Sequence, residues 1–155
     1  MRYFIDCEFD GHNGPLLSIA AVADNARSIY IKTTEQATDP WVLEHVIPIL
    51  DNHNCSETYV SHPNAVGALL QRFIKEANPI IIADSPVDIG RFCNAISTSP
   101  RGEWQPTEFN SMTFYVLNVN AYPTELEGAV QHNAWWDAAA LKHHICKPEE
   151  GSHYD

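Results

Sequence analysis

Five residues in this chain have the types and the order needed for metal chemistry. Asp6 and Glu8 lie near the start, Asp88 in the middle, and His132 and Asp137 towards the end. The first two sit in the apolar run Tyr3-Phe4-Ile5-Asp6-Cys7-Glu8-Phe9, which reads as a buried strand. Residues two apart on a strand share a face, so these carboxylates repel each other while losing hydration. That costs folding free energy, and a bound divalent cation is the usual remedy. Four converging carboxylates suit two hard cations about 3.5–4 Å apart. Such a pair neutralises the non-bridging oxygens of a phosphodiester, acidifies a bound water and stabilises the leaving 3′ oxygen. An imidazole, with an ordinary pKa of about 6.5, can take the proton from that water. His132, five residues before Asp137, is placed for that role.

The elements that must position these residues follow from breakers and periodicity. Residues 3–9 read as one strand, residues 10–15 as a turn rich in Gly, Asn and Pro, and residues 16–23 and 28–32 as two further strands. Short turns between them imply an antiparallel meander. Asp39-Pro40 opens a helix, with Asp39 as its cap, that ends near Pro48. Residues 51–62 are polar and read as loop. Apolar residues recur at three- and four-residue steps over 64–77, which predicts an amphipathic helix. The apolar run 79–83 reads as a strand buried on both faces. A helix begins near Pro86, residues 97–111 read as loop, and residues 112–119 fit either a strand or a helix. A last helix spans about 134–145. The sum is a mixed α/β layout with one central sheet. In such sheets, ligands gather at strand ends beside helix starts, where Asp6, Glu8, Asp88 and Asp137 can meet.

At 155 residues the chain is long enough for one domain with a core of its own. We expect that domain over 1–148, with a short acidic tail at 149–155. Hydrophobic residues make up 45% and charged residues 19%, as in soluble globular proteins. The formal charge of −11 argues against a broad basic surface gripping duplex nucleic acid. The four cysteines contain no C-x-x-C pair, which fits reduced thiols in the cytosol. His143-His144-x-Cys146 lacks the second half of a zinc site. No run approaches the roughly 20 apolar residues needed to span a bilayer, and no signal-peptide pattern is present. The expectation is a cytoplasmic protein with no membrane partner.

Three motifs then carry a resemblance. Phe4-Ile5-Asp6-Cys7-Glu8-Phe9, Ile82-Ala83-Asp84-Ser85-Pro86-Val87-Asp88 and His132-Asn133-Ala134-Trp135-Trp136-Asp137 resemble, in order and spacing, the DEDDh 3′–5′ exonucleases of the RNase H-like fold. The opening Met1-Arg2-Tyr3-Phe4 and the segment from Asp39-Pro40-Trp41-Val42 to Pro48 are similar to the compact, stand-alone bacterial and phage exoribonucleases of that superfamily. The resemblance implies an RNase H-like α/β fold, with a central mixed sheet that includes the meander and is flanked by helices. It implies two Mg²⁺ or Mn²⁺ ions held by Asp6, Glu8, Asp88 and Asp137, with His132 as general base. It places the terminal nucleotide against Phe9 and Asp10. It implies hydrolysis of single-stranded RNA or 3′ overhangs from the 3′ end, releasing nucleoside 5′-monophosphates, and it admits a homodimer.

Two departures touch the pocket rim: Asp84 stands where many members have Asn, and Trp135-Trp136 where many have Leu and Asp. The expectation is that Asp84 satisfies donors in its own turn. Of the tryptophan pair, one should lie in the core and one nearer the site, while Trp41 and Trp104 should be packing residues. No reader of a 2′-hydroxyl is identifiable, so an exodeoxyribonuclease of the same mechanism is the nearest alternative. An RNase H-type endonuclease fits less well, because that chemistry manages without the histidine. A catalytically idle nucleic-acid-binding module is the alternative from another class.

Overall fold

Two parities of side chain along one strand divide the protein into its layers. The computed structural model describes residues 1–119 and 125–147; the expected acidic tail at 149–155 lies outside the described residues. Strand β1 (Arg2–Phe9) pairs antiparallel with β2 (Leu16–Ala23), and β2 with β3 (Ser28–Thr33), giving the expected meander. β4 (Glu57–Ser61), β5 (Ile80–Ala83) and β6 (Thr113–Val116) complete a six-stranded sheet of order β4-β3-β2-β1-β5-β6. The β3–β4, β1–β5 and β5–β6 pairs are parallel. Four helices flank it: α1 (Pro40–His45), α2 (Val66–Phe73), α3 (Pro86–Ile96) and α4 (Ala134–Cys146). The sheet and its flanking helices form an RNase H-like arrangement.

Tyr3, Ile5 and Cys7 face one side of the sheet. There they join Ile19, Ala21, Ile29 and Ile31 beneath Leu70 and Phe73 of α2 and Phe92 and Ile96 of α3. The other face carries Phe4 and Ile82 against Leu141, and Ala20, Val22 and Tyr30 against Ala134 and Ala138, all under α4. Asp6 and Glu8 share the parity of Phe4, so they point towards the α4 side. Among the described residues, no helix is long and apolar enough to cross a membrane.

Three segments depart from expectation. Residues 51–62 are not all loop, because Glu57–Ser61 forms the edge strand β4 along β3. Thr58 and Val60 are exposed while Glu57, Tyr59 and Ser61 are half-buried. An edge strand covered on one face needs few apolar residues, since backbone bonds to β3 hold it. The helix expected over 64–77 is shorter. It opens with a 3₁₀ turn at Pro63–Ala65, where His62 Nδ1 accepts from Asn64 N at 3.2 Å, and α2 gives way at Ile74, which is extended (φ −84°, ψ 102°). Residues 112–119, open between strand and helix, form strand β6 along β5. Trp41 and Trp104 are not core packing residues; they are 49% and 78% exposed.

Helices α2 and α3 touch through Gly67. A Cβ there would lie 2.0 Å from the Ala95 carbonyl oxygen and 2.9 Å from Ile96 Cα, both backbone atoms that cannot swing aside. Gly67→Ala should therefore destabilise by about 1–3 kcal/mol, lowering Tm by about 2–4 °C per kcal/mol in a chain of this size. Gly90→Ala, on α3 with nothing within 4 Å of its Cβ, should raise Tm slightly through helix propensity. Equal melting of the two variants in a thermal scan would contradict this packing.

Candidate metal centre

The site forms where β1 and β5 end and α3 and α4 begin. The parallel register sets Phe4 beside Ile82. Two residues further on come Asp6, still within β1, and Asp84, just past the end of β5, and the two carboxylates meet. Asp88 lies in the first turn of α3, behind Pro86 and the cap Ser85, whose Oγ accepts from Val87 N at 3.1 Å. Asp137 lies in the first turn of α4. That helix is capped by Asn133, whose Oδ1 accepts from Trp135 N (3.1 Å) and Trp136 N (3.4 Å). The Asn133 amide also donates to the carbonyls of Ile49 (2.9 Å) and Leu50 (3.1 Å). These bonds pin the start of α4 over the sheet and aim Asp137 at β1.

Two carboxylate triads result. Asp6, Glu8 and Asp137 offer oxygens that all lie within 4.8 Å of one another, and so do Asp6, Asp84 and Asp88. Asp6 belongs to both. Among the described residues, no lysine or arginine forms an ion pair with any of the five. The electrostatic consequence is severe. Burial, then repulsion from Asp88, Glu8, Asp137 and Asp84, holds Asp6 well above the usual carboxylate range. Burial and the charges of Asp137 and Asp88 push Glu8 up to about 8. Burial, with Asp84 opposing its ionisation, raises Asp88 to about 7, and burial raises Asp137 to about 7. A donor set made only of carboxylate oxygens fits hard divalent cations such as Mg²⁺ or Mn²⁺.

One stretch of this chain matches mycobacterial 3′–5′ exoribonucleases. Over 55 residues it is 46% identical to a 3′–5′ exoribonuclease of Mycobacterium tuberculosis strain H37Rv, and equally to one from strain CDC 1551 / Oshkosh. The aligned stretch is 32% of this chain and 33% of each relative, so the likeness spans about a third of their length. No protein-family model matches the chain.

Four expected ligands, Asp6, Glu8, Asp88 and Asp137, thus lie in one cluster. His132 belongs to neither triad through its ring. Its backbone N–H donates to Asp137 Oδ2 at 3.0 Å, and its φ of 63° lies in the left-handed region, where histidine is uncommon. Its imidazole stands edge-on to Trp41 at 5.1 Å, and Trp41 stacks on His45 at 4.7 Å. Burial and the neighbouring His45 hold His132 below its ordinary pKa, so it is neutral at pH 7.

Asp84 and Trp41 are the residues that sequence reasoning missed. Asp84 meets its own backbone N–H, as expected of a turn residue, and its carboxylate also sits against Asp6 and Asp88. The β1–β5 register would have revealed it. Trp41 lies in the segment similar to the compact exoribonucleases, but no spacing there points to its contact with His132. Neither Trp135 nor Trp136 reaches the carboxylates: Trp135 Nε1 donates to Ser28 Oγ (2.9 Å) and Trp136 Nε1 to the Asn52 carbonyl (2.9 Å). The Asp10 carboxylate is fully engaged, accepting from Thr38 N, Thr38 Oγ1 and Asp39 N, each at 2.8 Å. It fastens the start of α1, and so Trp41, to the end of β1. The ring of Phe9 lies under the Arg91 guanidinium at 4.7 Å.

The raised acids set the sign of a pH dependence. Between about pH 4 and 8 the fold holds protons that the unfolded chain has released, so metal-free stability falls as pH rises. Tm measured in EDTA should drop from pH 5 to pH 8, and millimolar Mn²⁺ should abolish the drop, because cations compete with those protons. Asp6→Asn should raise the metal-free Tm at pH 8 by a few degrees, about 2–4 °C for each kcal/mol of repulsion removed. A metal-free Tm that climbs over this range, or falls sharply in Asp6→Asn, would mean that the carboxylates serve the fold instead.

Proposed function

We propose that this protein is a metal-dependent 3′–5′ exonuclease of the DEDDh type that shortens single-stranded RNA or 3′ overhangs and releases nucleoside 5′-monophosphates. The observation that carries this reading is the pair of triads sharing Asp6. A phosphodiester needs charge neutralisation on both sides of the bond that breaks, and two adjoining cation seats offer that. RNA as substrate is supported by the two mycobacterial relatives, which are named as 3′–5′ exoribonucleases.

In this reading Asp6, Glu8 and Asp137 would hold one ion, and Asp6, Asp84 and Asp88 the other. When bound, the two cations supply Lewis acidity to a water and to the leaving oxygen. His132 accepts the proton of the attacking water at a ring nitrogen. Its neutrality at pH 7 and the tie from its backbone to Asp137 suit it to that task. Trp41, packed between His45 and His132, orients the base. Phe9, directly after Glu8, flanks the terminal nucleotide, and Asp10 holds the loop that frames it.

Digestion of oligomers labelled at either end, RNA and DNA in parallel, with Mg²⁺ or Mn²⁺, tests the reading. A ladder shortening from the 3′ end is expected, faster on RNA. Internal cuts or no products would overturn it. His132→Asn, which tolerates the left-handed backbone, should lose about 10²–10⁴-fold in rate while keeping the Mn²⁺-induced rise in Tm. Asp84→Asn should weaken Mn²⁺ binding by about tenfold or more. Unchanged affinity would return Asp84 to a turn role.

A further inference from the structure

Beside the acidic cluster lies a cavity of the opposite character. It has a volume of about 440 Å³ and is lined by His12, Asn13, Val87, Gly90, Arg91 and Asn94. Val87 adjoins Asp88, and Arg91 follows Asp88 by three residues on α3, a spacing that sets side chains on neighbouring positions of one face. Among the described residues, no acidic side chain lines this cavity.

Arg91 is held in place without being neutralised. Its guanidinium lies over the Phe9 ring at 4.7 Å and donates to the carbonyls of Gly14 (2.6 Å) and His12 (3.4 Å). Three of the nine lysines and arginines, Arg2, Lys32 and Lys147, pair with a carboxylate; the other six do not among the described residues. Arg91 forms no ion pair among the described residues, and two carbonyl bonds leave donors spare on a group that carries five. Asn13 and Asn94 add side-chain amides, and Gly90 leaves the floor open, with nothing within 4 Å of a Cβ. A fixed planar cation with flanking amides is suited to a phosphate.

We infer that the Arg91 cavity is a subsite for a backbone phosphate of single-stranded nucleic acid, one that lies outside the scissile bond and is gripped by Arg91 with Asn13 and Asn94. The inference rests on the exonuclease reading for its ligand. It also bears on how a chain of charge −11 retains a polyanion: Arg91 is a cation without an ion pair among the described residues, on the helix that carries Asp88.

Binding of a 5′-fluorescein oligoribonucleotide, read by anisotropy over a salt series with Ca²⁺ in place of Mg²⁺, tests this without depending on cleavage. Loss of one phosphate contact to a single strand should flatten the slope of log K against log salt by about 0.7. Arg91→Gln should show that change, with affinity about tenfold weaker. Arg91→Lys, which keeps the charge, should retain most of the slope. Asn94→Ala, which removes an amide and adds no charge beside Arg91, should also weaken binding. Inorganic phosphate should compete only at far higher concentration than unlabelled oligomer. An unchanged slope in Arg91→Gln, or identical losses in the Gln and Lys variants, would overturn the subsite and leave Arg91 a loop anchor. Oligomer binding that depends on Arg91 in a protein that never shortens the strand would keep the subsite and sink the exonuclease reading.

Discussion

Mutual repulsion among five carboxylates is the constraint around which this structure is arranged. Asp6, Glu8, Asp84, Asp88 and Asp137 come from two strand ends and two helix starts, where Asp88 is buried and Asp6, Glu8 and Asp137 are half-buried, so less water screens them. No ion pair offsets that charge among the described residues. A fold that tolerates such a cluster must be strongly held elsewhere. Here the support is a sheet sealed on both faces: Tyr3, Ile5 and Cys7 under α2 and α3, and Phe4, Ala20 and Tyr30 under α4. The caps Ser85 and Asn133 then fix where the two helices begin, and so where Asp88 and Asp137 stand.

The parts of the site that were legible in the sequence are those with local signatures. Asp6 and Glu8 announced themselves as charges inside an apolar strand, and the capped starts of α3 and α4 located Asp88 and Asp137. Asp84 was not legible, because its role depends on the register of two strands separated by more than 70 residues. Within its own segment it looks like an ordinary turn residue before Ser85-Pro86. Strand β4 escaped for a related reason: an edge strand is held by backbone bonds to β3 more than by its own apolar residues. The contact between Trp41 and His132 joins α1 to the loop before α4, and no spacing rule connects those segments.

The same distinction governs the surroundings of the metal centre. The Asp10 carboxylate accepts from Thr38 and Asp39 and ties α1 to β1, which leaves its backbone as the part that can meet a nucleotide. His132 is positioned through its backbone, with its ring beside Trp41, so His132 and Asp137, the proposed base and ligand, share one short, constrained segment. Next to this acidic region, Arg91 supplies a fixed positive charge. Negative and positive zones thus sit side by side: one to gather cations, the other to meet the anion that those cations would act on.

The most direct test of the central claim is anomalous diffraction from crystals soaked in Mn²⁺. Two peaks are expected, one within coordination distance of Asp6, Glu8 and Asp137 and the other of Asp6, Asp84 and Asp88, with the Asp6 carboxylate between them. Peaks that avoid Asp6, or no peak at millimolar Mn²⁺ and pH 8, would contradict the account.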